Sequence, residues 1–214
     1  MKPIDAPCVF KDRADAAQQL ARRLHAYRGQ RPLILAIPRG AVPMGKLLAT
    51  LLGGDLDVVL VHKLRAPHQP ELAIGSVDES GWSYLAPRAD AAGAAPAYVE
   101  AEKDLQLAAI RRRRAAYTPV RAPIDPAGRI VIVVDDGLAT GATMLAALHG
   151  LRQRQPARLV CAVPVASPEA LARVTALADE VVCLQAPAGF AAVGQYYRSF
   201  PQVEDAEVLA LLAG

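Results

Sequence analysis

The sequence predicts an α/β fold with a doubly wound, mostly parallel sheet of about five strands. Short apolar runs rich in β-branched residues alternate along the chain with longer amphipathic segments, an order that is typical of βαβ units. The runs are apolar throughout rather than alternately polar, which is expected of strands buried on both faces. The chain has 214 residues, 53% of them hydrophobic, and this is enough for one such domain.

Each element follows from its local pattern. Residues 12–27 carry apolar side chains four residues apart behind Asp12, a residue type that favours a helix N-cap. Ser167 followed by Pro168 indicates another helix start, because proline is tolerated at the first helical position. In chain order, the patterns predict a helix at 12–27, a strand at 32–37, a helix at 44–52, a strand at 57–61, a β-hairpin over 72–85, a helix at 98–117, a strand at 131–134, a helix at 143–152, a strand at 157–163, a helix from 167, a strand at 180–184 and a helix at 205–212.

The predicted strand at 131–134 is followed by an unusual set of residues. Asp135 and Asp136 come directly after it, and a loop of small and hydroxyl residues then leads into a helix. Ligands of open α/β sheets bind beyond the carboxyl ends of strands, and a helix N-terminus offers free N–H groups to an anion. The loop is therefore a candidate phosphate cradle, formed by Leu138, Ala139, Thr140, Gly141, Ala142 and Thr143.

The two carboxylates need a different role, because they would repel a phosphate. A carboxylate accepts hydrogen bonds from vicinal hydroxyls, and hydroxyls a few ångströms from a phosphate describe a ribose 5-phosphate. A P-loop is excluded since no Lys follows Gly141, and a dinucleotide fingerprint needs three glycines. The alternative is a buried strand that ends in a solvated Asp-Asp turn.

The stretch 131–143 resembles the 13-residue phosphoribosyl-pyrophosphate (PRPP) signature of type I phosphoribosyltransferases. In that family the two acids hold the ribose 2′- and 3′-hydroxyls, and the loop holds the 5′-phosphate. The resemblance assigns these roles to Asp135, Asp136 and the loop 138–143. It implies transfer of ribose 5-phosphate from PRPP to a nucleobase or similar nitrogen acceptor. It also implies Mg²⁺, held by PRPP oxygens and water with no direct protein ligands expected.

The resemblance extends to other loops that would contact PRPP. The first βα loop of the family binds pyrophosphate, which points to Arg39 and Gly40. A basic residue after the next strand contacts PRPP, so Lys63 is the first candidate and Arg65 the second. Glu71, near the start of the mobile loop that follows, is a candidate to face the base or the charge that develops on the ribose. The alternatives are ordinary turns and surface charges.

The same resemblance implies a single domain with a small hood over the base. Aromatic side chains in the tail are candidates to stack on that base, or to form the core of the hood: Phe190, Tyr196 and Tyr197. The expected division is one domain over 1–214, with its core at about 30–185, a mobile insert at about 64–125, and the hood at about 1–10 and 186–214.

The residue at position 139 gives information about which nitrogen acceptor the chain would use. In the family, enzymes for hypoxanthine and guanine have an acid here that can act as a base, whereas adenine phosphoribosyltransferase has Ala, like this chain. Outside the PRPP stretch the match to the adenine enzyme is weak. The overall likeness is to a bacterial group of predicted phosphoribosyltransferases whose acceptor is unassigned, so the acceptor stays open.

Composition limits the other functional classes. A net charge of +3 is too small to indicate nucleic acid, and the arginines 111–114 spread around a helix, which predicts a solvated surface. No apolar run has the length of a membrane span, and three scattered cysteines indicate reduced thiols, so we expect a cytoplasmic protein. A homodimer is one option for its assembly. The alternative function is a non-catalytic PRPP or nucleotide sensor.

Overall fold

A five-stranded parallel sheet lies at the centre of the computed structural model, which describes residues 10–86, 89 and 92–214 without the side chains of residues 70 and 71. The strand order is β2-β1-β6-β7-β8. The predicted α/β class and the number of parallel strands are thus confirmed. The helices and strands are α1 (Arg13–Arg23), β1 (Leu33–Ala36), α2 (Val42–Leu52), β2 (Asp55–Val58), β3 (Val61–Ala66), β4 (Gln69–Asp78), β5 (Ser83–Leu85), α3 (Pro96–Tyr117), β6 (Ile130–Val134), α4 (Ala142–Gln153), β7 (Arg158–Val165), α5 (Pro168–Thr175), β8 (Glu180–Gln185) and α6 (Asp205–Ala213).

The two faces of the sheet are buried in two separate hydrophobic cores. Ile132 and Val134 of β6 pack into the core that contains α1, α2 and α6. Val131 and Val133 of the same strand pack into the core formed with α4 and α5. Successive side chains of a strand point to opposite faces, so a continuous apolar run is what a doubly covered strand requires.

The strand order reverses between β1 and β6. From β1 the chain runs outward to β2, and it later returns to β6 on the other side of β1. The helix after β1 therefore covers one face, and the helix after β6 covers the other. The loops that follow these two strands diverge, and such a switch point leaves a crevice at the carboxyl ends of the strands.

The segment 57–85 differs from the sequence prediction. The strand predicted at 57–61 exists as β2, but its predicted bounds are wrong: β2 ends at Val58, and Val61 begins β3 in a second, antiparallel sheet of order β3-β4-β5. The apolar run continues through the connection at 59–60, so hydrophobicity alone does not mark the boundary. The predicted hairpin is confirmed as β4 and β5, and β3 adds a third strand to it. Lys63 and Arg65 therefore lie within β3 rather than beyond a strand end.

Contacts with α4 and the central sheet hold the second sheet in place. Ser76 Oγ donates to the carbonyl of Ala142 at 2.7 Å, and the Trp82 ring stacks on His149 with centroids 3.7 Å apart. Arg114 pairs with Glu79 at 2.6 Å and with buried Asp57 at 3.6 Å. The mobility predicted for this insert stays a prediction.

The arginine run is less solvated than the sequence indicates. Arg111 and Arg112 are exposed, but Arg113 and Arg114 are half-buried. The side of α3 that carries Arg113 and Arg114 packs toward the second sheet, and opposite charges there compensate the burial of Arg114.

The C-terminal tail packs beside the start of the described chain. The amide of Phe10 donates to the Tyr196 carbonyl at 2.7 Å, and the amide of Arg198 donates to the Phe10 carbonyl at 2.8 Å. Residues 1–9 of the predicted hood lie outside the described residues, and the division into core, insert and hood stays a prediction. Within the described part of the chain, no helix combines the length and apolar character needed to cross a membrane.

Candidate active site

A cleft of about 340 Å³ opens at the carboxyl ends of β1 and β6, where the strand order reverses. This is the position at which open α/β sheets bind ligands. The structure brings together in this cleft Asp135, Asp136, the whole loop 138–143, Gly40 and Lys63. The complete lining consists of Ile37, Pro38, Gly40, Val61, Lys63, residues 135–144 and Val193.

The loop between β6 and α4 is anchored mainly through its carbonyl groups. The Leu138 carbonyl accepts from the amide of Ser167 at 2.9 Å, and the Ala139 carbonyl accepts from Ser167 Oγ at 2.7 Å. The Leu138 amide donates to Val165. The remaining amides are available to an anion, since these have no partner among the described residues: Ala139, Thr140, Gly141 and Thr143.

Two glycines are required by the shape of this site. Gly141 has φ of 75° at the start of α4, a conformation that side chains disfavour, and a Cβ there would lie 3.1 Å from that of Ala170. Gly40 is required for a different reason, because a Cβ there would lie 2.2 Å from Oδ2 of Asp136. The loop after β1 can therefore approach the acid only with glycine at this position.

Asp135 and Asp136 are held differently. Asp136 Oδ2 accepts two hydrogen bonds from Arg13, from Nη2 at 2.9 Å and from Nε at 3.1 Å. Asp135 Oδ1 accepts from the backbone amide of Asp136 at 2.9 Å. Burial and the neighbouring Asp136 charge raise the pKa of Asp135 well above its usual range, although Lys63 opposes this. Burial also raises the pKa of Asp136, against the effect of Arg13.

Arg13 is a site residue that sequence reasoning missed. Its Nη1 donates to the Pro201 carbonyl at 2.7 Å, and its guanidinium lies 3.9 Å from the centroid of the Phe200 ring. Tyr197 Oη donates to the backbone carbonyl of Asp136 at 2.6 Å. Residues near both ends of the described chain thus position Asp136. No local pattern marks Arg13, which is 123 positions away from its partner.

The other basic candidates occupy different surroundings. Lys63 lines the cleft, whereas Arg65 lines an adjacent pocket. The Arg39 side chain pairs with Glu204 at 3.5 Å and with Asp205 at 3.7 Å, at the start of α6. The Pro38–Arg39 peptide bond is cis, and the loop lines the cleft through Pro38 and Gly40. The assignment of Arg39 to PRPP stays a prediction.

The remaining predicted site residues are Glu71 and the aromatic residues of the tail. The side chain of Glu71 lies outside the described residues, so its assignment stays a prediction. Tyr196 and Tyr197 are 3% and 6% exposed, and half-buried Phe190 stacks on Tyr196.

Val193 is the tail residue that lines the cleft. It packs so closely on Gly137 that a Cβ added to this glycine would lie 2.6 Å from the Val193 side chain. Sequence reasoning missed Val193, since nothing distinguishes it from the other apolar tail residues.

The acids of the cleft do not form a complete metal site. Within the described residues, no group of three or more His, Cys, Asp or Glu side chains could hold a metal ion. Asp135 and Asp136 are carboxylates, the ligand type that Mg²⁺ prefers, but Mg²⁺ needs about six oxygens. The residues fit a Mg²⁺ ion only if a bound ligand and water complete its shell.

The fold and the cleft define a class of protein: an α/β protein with a candidate ligand site at the switch point of its sheet. The family model of the phosphoribosyl transferase domain matches residues 5–198. The chain belongs to this family, and the resemblance stated from the PRPP stretch is confirmed.

Two similar proteins span most of the chain, and a third matches a smaller part of it. A provisionally named phosphoribosyl transferase of Mycobacterium tuberculosis H37Rv is 42% identical over 210 residues, which cover 95% of this chain and 46% of that protein. Adenine phosphoribosyltransferase of Rhodospirillum centenum is 36% identical over 97 residues, 41% of this chain and 53% of that enzyme. The chain spans about half the length of these curated relatives. The crystal structure of TT1426 from Thermus thermophilus matches with a TM-score of 0.80 and 46% identity, covering 96% of this chain and 98% of that one.

Proposed function

We propose that this chain transfers ribose 5-phosphate from PRPP to a nitrogen acceptor and releases pyrophosphate. One observation carries the proposal: a loop with unpartnered amides and two neighbouring acids line the same cleft at the switch point of the sheet. The loop suits a phosphate, the acids suit the adjacent diol, and family membership supports this combination.

The loop and the acids hold the ribose 5-phosphate end of the substrate. The free amides of the loop bind the 5′-phosphate, and Thr140 and Thr143 add hydroxyl donors. Asp135 and Asp136 accept hydrogen bonds from the ribose hydroxyls. Because the sugar is held at both ends, its C1 is fixed relative to the incoming nitrogen, which lowers the entropic part of the barrier.

The reaction exchanges one bond at C1 for another. The C1–O bond breaks and its electron pair leaves with pyrophosphate, while the nitrogen lone pair forms the C1–N bond and the acceptor gives up its N–H proton. Lys63 and the loop at Gly40 bind the pyrophosphate end. When bound, Mg²⁺ would neutralise charge on the leaving group, and Asp135 and Asp136 would contact it only through the ribose hydroxyls or water.

The acceptor belongs to the class of nucleobases or similar nitrogen heterocycles. Ala139 provides no acid beside the base, so an acceptor that needs a carboxylate base at this position is disfavoured. The partial likeness to an adenine enzyme makes adenine the first compound to test. Val193 provides an apolar surface on the tail side of the cleft.

The test measures pyrophosphate release from PRPP and Mg²⁺ with a panel of bases, using wild type, Asp136→Asn and Asp104→Asn. We expect release with at least one base in the wild type. Asp136→Asn should bind PRPP about tenfold more weakly or worse, because the diol loses a charged acceptor. Asp104 is exposed on α3 and controls for the loss of one negative charge. If PRPP binds but no base supports release, the transfer is refuted and the sensor alternative is favoured.

A further inference from the structure

We propose that a polar stripe on α3 positions Lys63 for PRPP binding, because its hydrogen bonds fix the strand β3 that carries this lysine. The inference rests on the proposed function and deepens it, since it adds positioning residues that do not line the cleft. The stripe consists of Tyr98, Glu102, Gln106 and Arg113. Consecutive members are four or seven positions apart, so they lie on one face of the helix.

The stripe binds β3 where the ladder between β3 and β4 is irregular. The pairing of the two strands shifts register on both sides of Arg65, and a bulge leaves backbone groups without regular ladder partners. Side chains of α3 bind these groups. The Arg65 amide donates to Glu102 Oε1 at 3.1 Å, and the Arg65 carbonyl accepts from Tyr98 Oη at 3.0 Å. The backbone two residues beyond Lys63 is thus held by α3.

A hydrogen-bond chain holds the residue directly before Lys63. Arg113 Nη1 lies 3.1 Å from His62 Nε2, and because arginine can only donate, this histidine nitrogen accepts. His62 Nδ1–H then donates to Gln106 Oε1 at 3.0 Å, and Gln106 Nε2 donates to Glu102 Oε1 at 2.9 Å. Each donor of the chain meets an acceptor, and this pattern requires a neutral His62 ring.

The surroundings of His62 favour this neutral ring. Burial lowers the pKa of His62, the hydrogen bond to Gln106 opposes this effect, and the charge of Arg113 lowers the pKa further. Glu102 and Gln106 are 7% and 6% exposed. Buried polar groups are costly unless they are hydrogen-bonded, and a satisfied network specifies one arrangement of its members. The stripe therefore fixes the orientation of β3 as well as its contact with α3.

The geometry of β3 transmits this orientation to Lys63. Successive side chains of a strand point to opposite faces; His62 contacts α3, whereas Lys63 lines the cleft. In the ladder with β4, Lys63 lies opposite Ser76, whose hydroxyl donates to the carbonyl of Ala142 in the loop 138–143. The strand is thus tied to this loop through β4 and to α3 through His62, and Lys63 lies between the two anchors.

The experiment measures PRPP affinity of the full chain by calorimetry at constant ionic strength. His62→Leu removes both hydrogen bonds, whereas His62→Gln keeps an acceptor for Arg113 and a donor for Gln106. We expect His62→Leu to weaken PRPP binding about tenfold and His62→Gln to stay within about twofold of the wild type. Ile110→Val is the matched control with wild-type affinity, since it removes a buried methyl group from the same helix and leaves the network intact.

A double-mutant cycle with Lys63→Met tests whether the stripe acts through this lysine. If it does, His62→Leu changes PRPP affinity by less than about twofold once the lysine is absent. A role in stability alone would weaken binding by the same factor in both backgrounds. If His62→Leu does not fold by circular dichroism, Gln106→Met removes the acceptor of His62 Nδ1–H and provides the same comparison.

Three results would overturn the positioning role. They are equal PRPP affinity of His62→Leu and wild type, an equally large loss in His62→Gln, and an undiminished loss in the Lys63→Met background. Failure of the proposed function is distinguishable from these results. A wild type that binds PRPP but releases no pyrophosphate with any base refutes the transfer alone, and the affinity comparison still decides the role of the stripe. A wild type that binds no PRPP refutes both.

Discussion

Asp136 is the residue whose surroundings depend most on distant parts of the chain. Arg13 binds one oxygen of its carboxylate, and Tyr197 binds its backbone carbonyl. The Arg13 side chain is 11% exposed and that of Asp136 is 17% exposed, so solvent screens the pair weakly. Arg13 orients Asp136 and lowers the pKa that burial raises, and the second carboxylate oxygen of Asp136 remains for a ligand.

Arg13→Gln should weaken PRPP binding about tenfold, because the carboxylate of Asp136 loses its charged partner. Burial would then raise the pKa of Asp136 unopposed, so the loss should be larger at pH 5.5 than at pH 7.5. PRPP affinity by calorimetry at both pH values checks this, with exposed Arg22→Gln as the control on the same helix. A loss of affinity that does not change with pH would leave Arg13 with a structural role only.

We expect the charged form of Asp135 to lower the stability of the fold, although the same side chain serves ligand binding. Its pKa in the folded protein is raised by burial and by Asp136, so folding favours the protonated form. The contribution of Asp135 to stability is therefore greatest below the pKa that its carboxyl has in the unfolded chain. This contribution is lost as the pH rises through the raised pKa of the folded protein.

Asp135→Asn should therefore raise Tm at pH 7 by about 2–4 °C for each kcal/mol that is recovered, while it weakens PRPP binding. The gain should shrink as the pH is lowered toward about 4, where the carboxyl of the wild type is also neutral when unfolded. Calorimetric melting of both proteins across this pH range is the measurement. A variant less stable than the wild type at pH 7 would contradict the assignment.

At the scale of elements, the start of α5 anchors the loop 138–143, the candidate phosphate cradle. Ser167 caps α5 by accepting from the Ala170 amide at 3.1 Å, and its hydroxyl donates to the Ala139 carbonyl at 2.7 Å. The Ser-Pro pair that marks this helix in the sequence therefore also fixes the loop after β6. The N-cap residue of α5 thus anchors the loop whose unpartnered amides are available to an anion.

Ser167→Ala should cost about 1 kcal/mol of stability, which is typical of a lost N-cap. It should also weaken PRPP binding, because the loop loses one of its anchors. Urea unfolding and calorimetry measure the two effects. Ser199→Ala, an exposed serine of the tail, is the matched control. Unchanged PRPP affinity in a destabilised Ser167→Ala protein would separate the cap from the loop.

At the scale of the whole molecule, an ion cluster joins the two sheets. Asp57 belongs to β2 of the central sheet, Glu79 follows β4 of the second sheet, and Arg114 on α3 pairs with both. The Asp57 side chain is 4% exposed, and burial raises its pKa even though two backbone amides and Arg114 act in the opposite direction. The cluster does not line the cleft, but it fixes the sheet that carries Lys63.

Arg114→Ala should destabilise the fold by about 3 kcal/mol, the lower end of the cost of an unpaired buried charge, because backbone amides still bind Asp57. Exposed Arg111→Ala should change stability by less than about 0.5 kcal/mol. Chemical unfolding of both variants measures the difference. Equal stabilities would mean that the cluster does not couple the sheets.

The amino-acid sequence by itself determined the α/β class and the five parallel strands, and it marked the loop 138–143 as the candidate PRPP site. These features depend on neighbours in the chain: an apolar run for a doubly buried strand, two acids at its end, and glycine and threonine before a helix. Short runs of neighbouring residues carry this information, so one sequence is sufficient to predict these features.

Only the tertiary structure decided which distant side chains complete the site. Arg13 meets Asp136 across 123 positions, and Val193 reaches Gly137 from the tail. The boundary between β2 and β3 depends on which strand each residue pairs with, and the half-burial of Arg113 and Arg114 depends on what packs against α3. Such contacts follow from long-range packing and charge pairing, which leave no repeating pattern in the sequence.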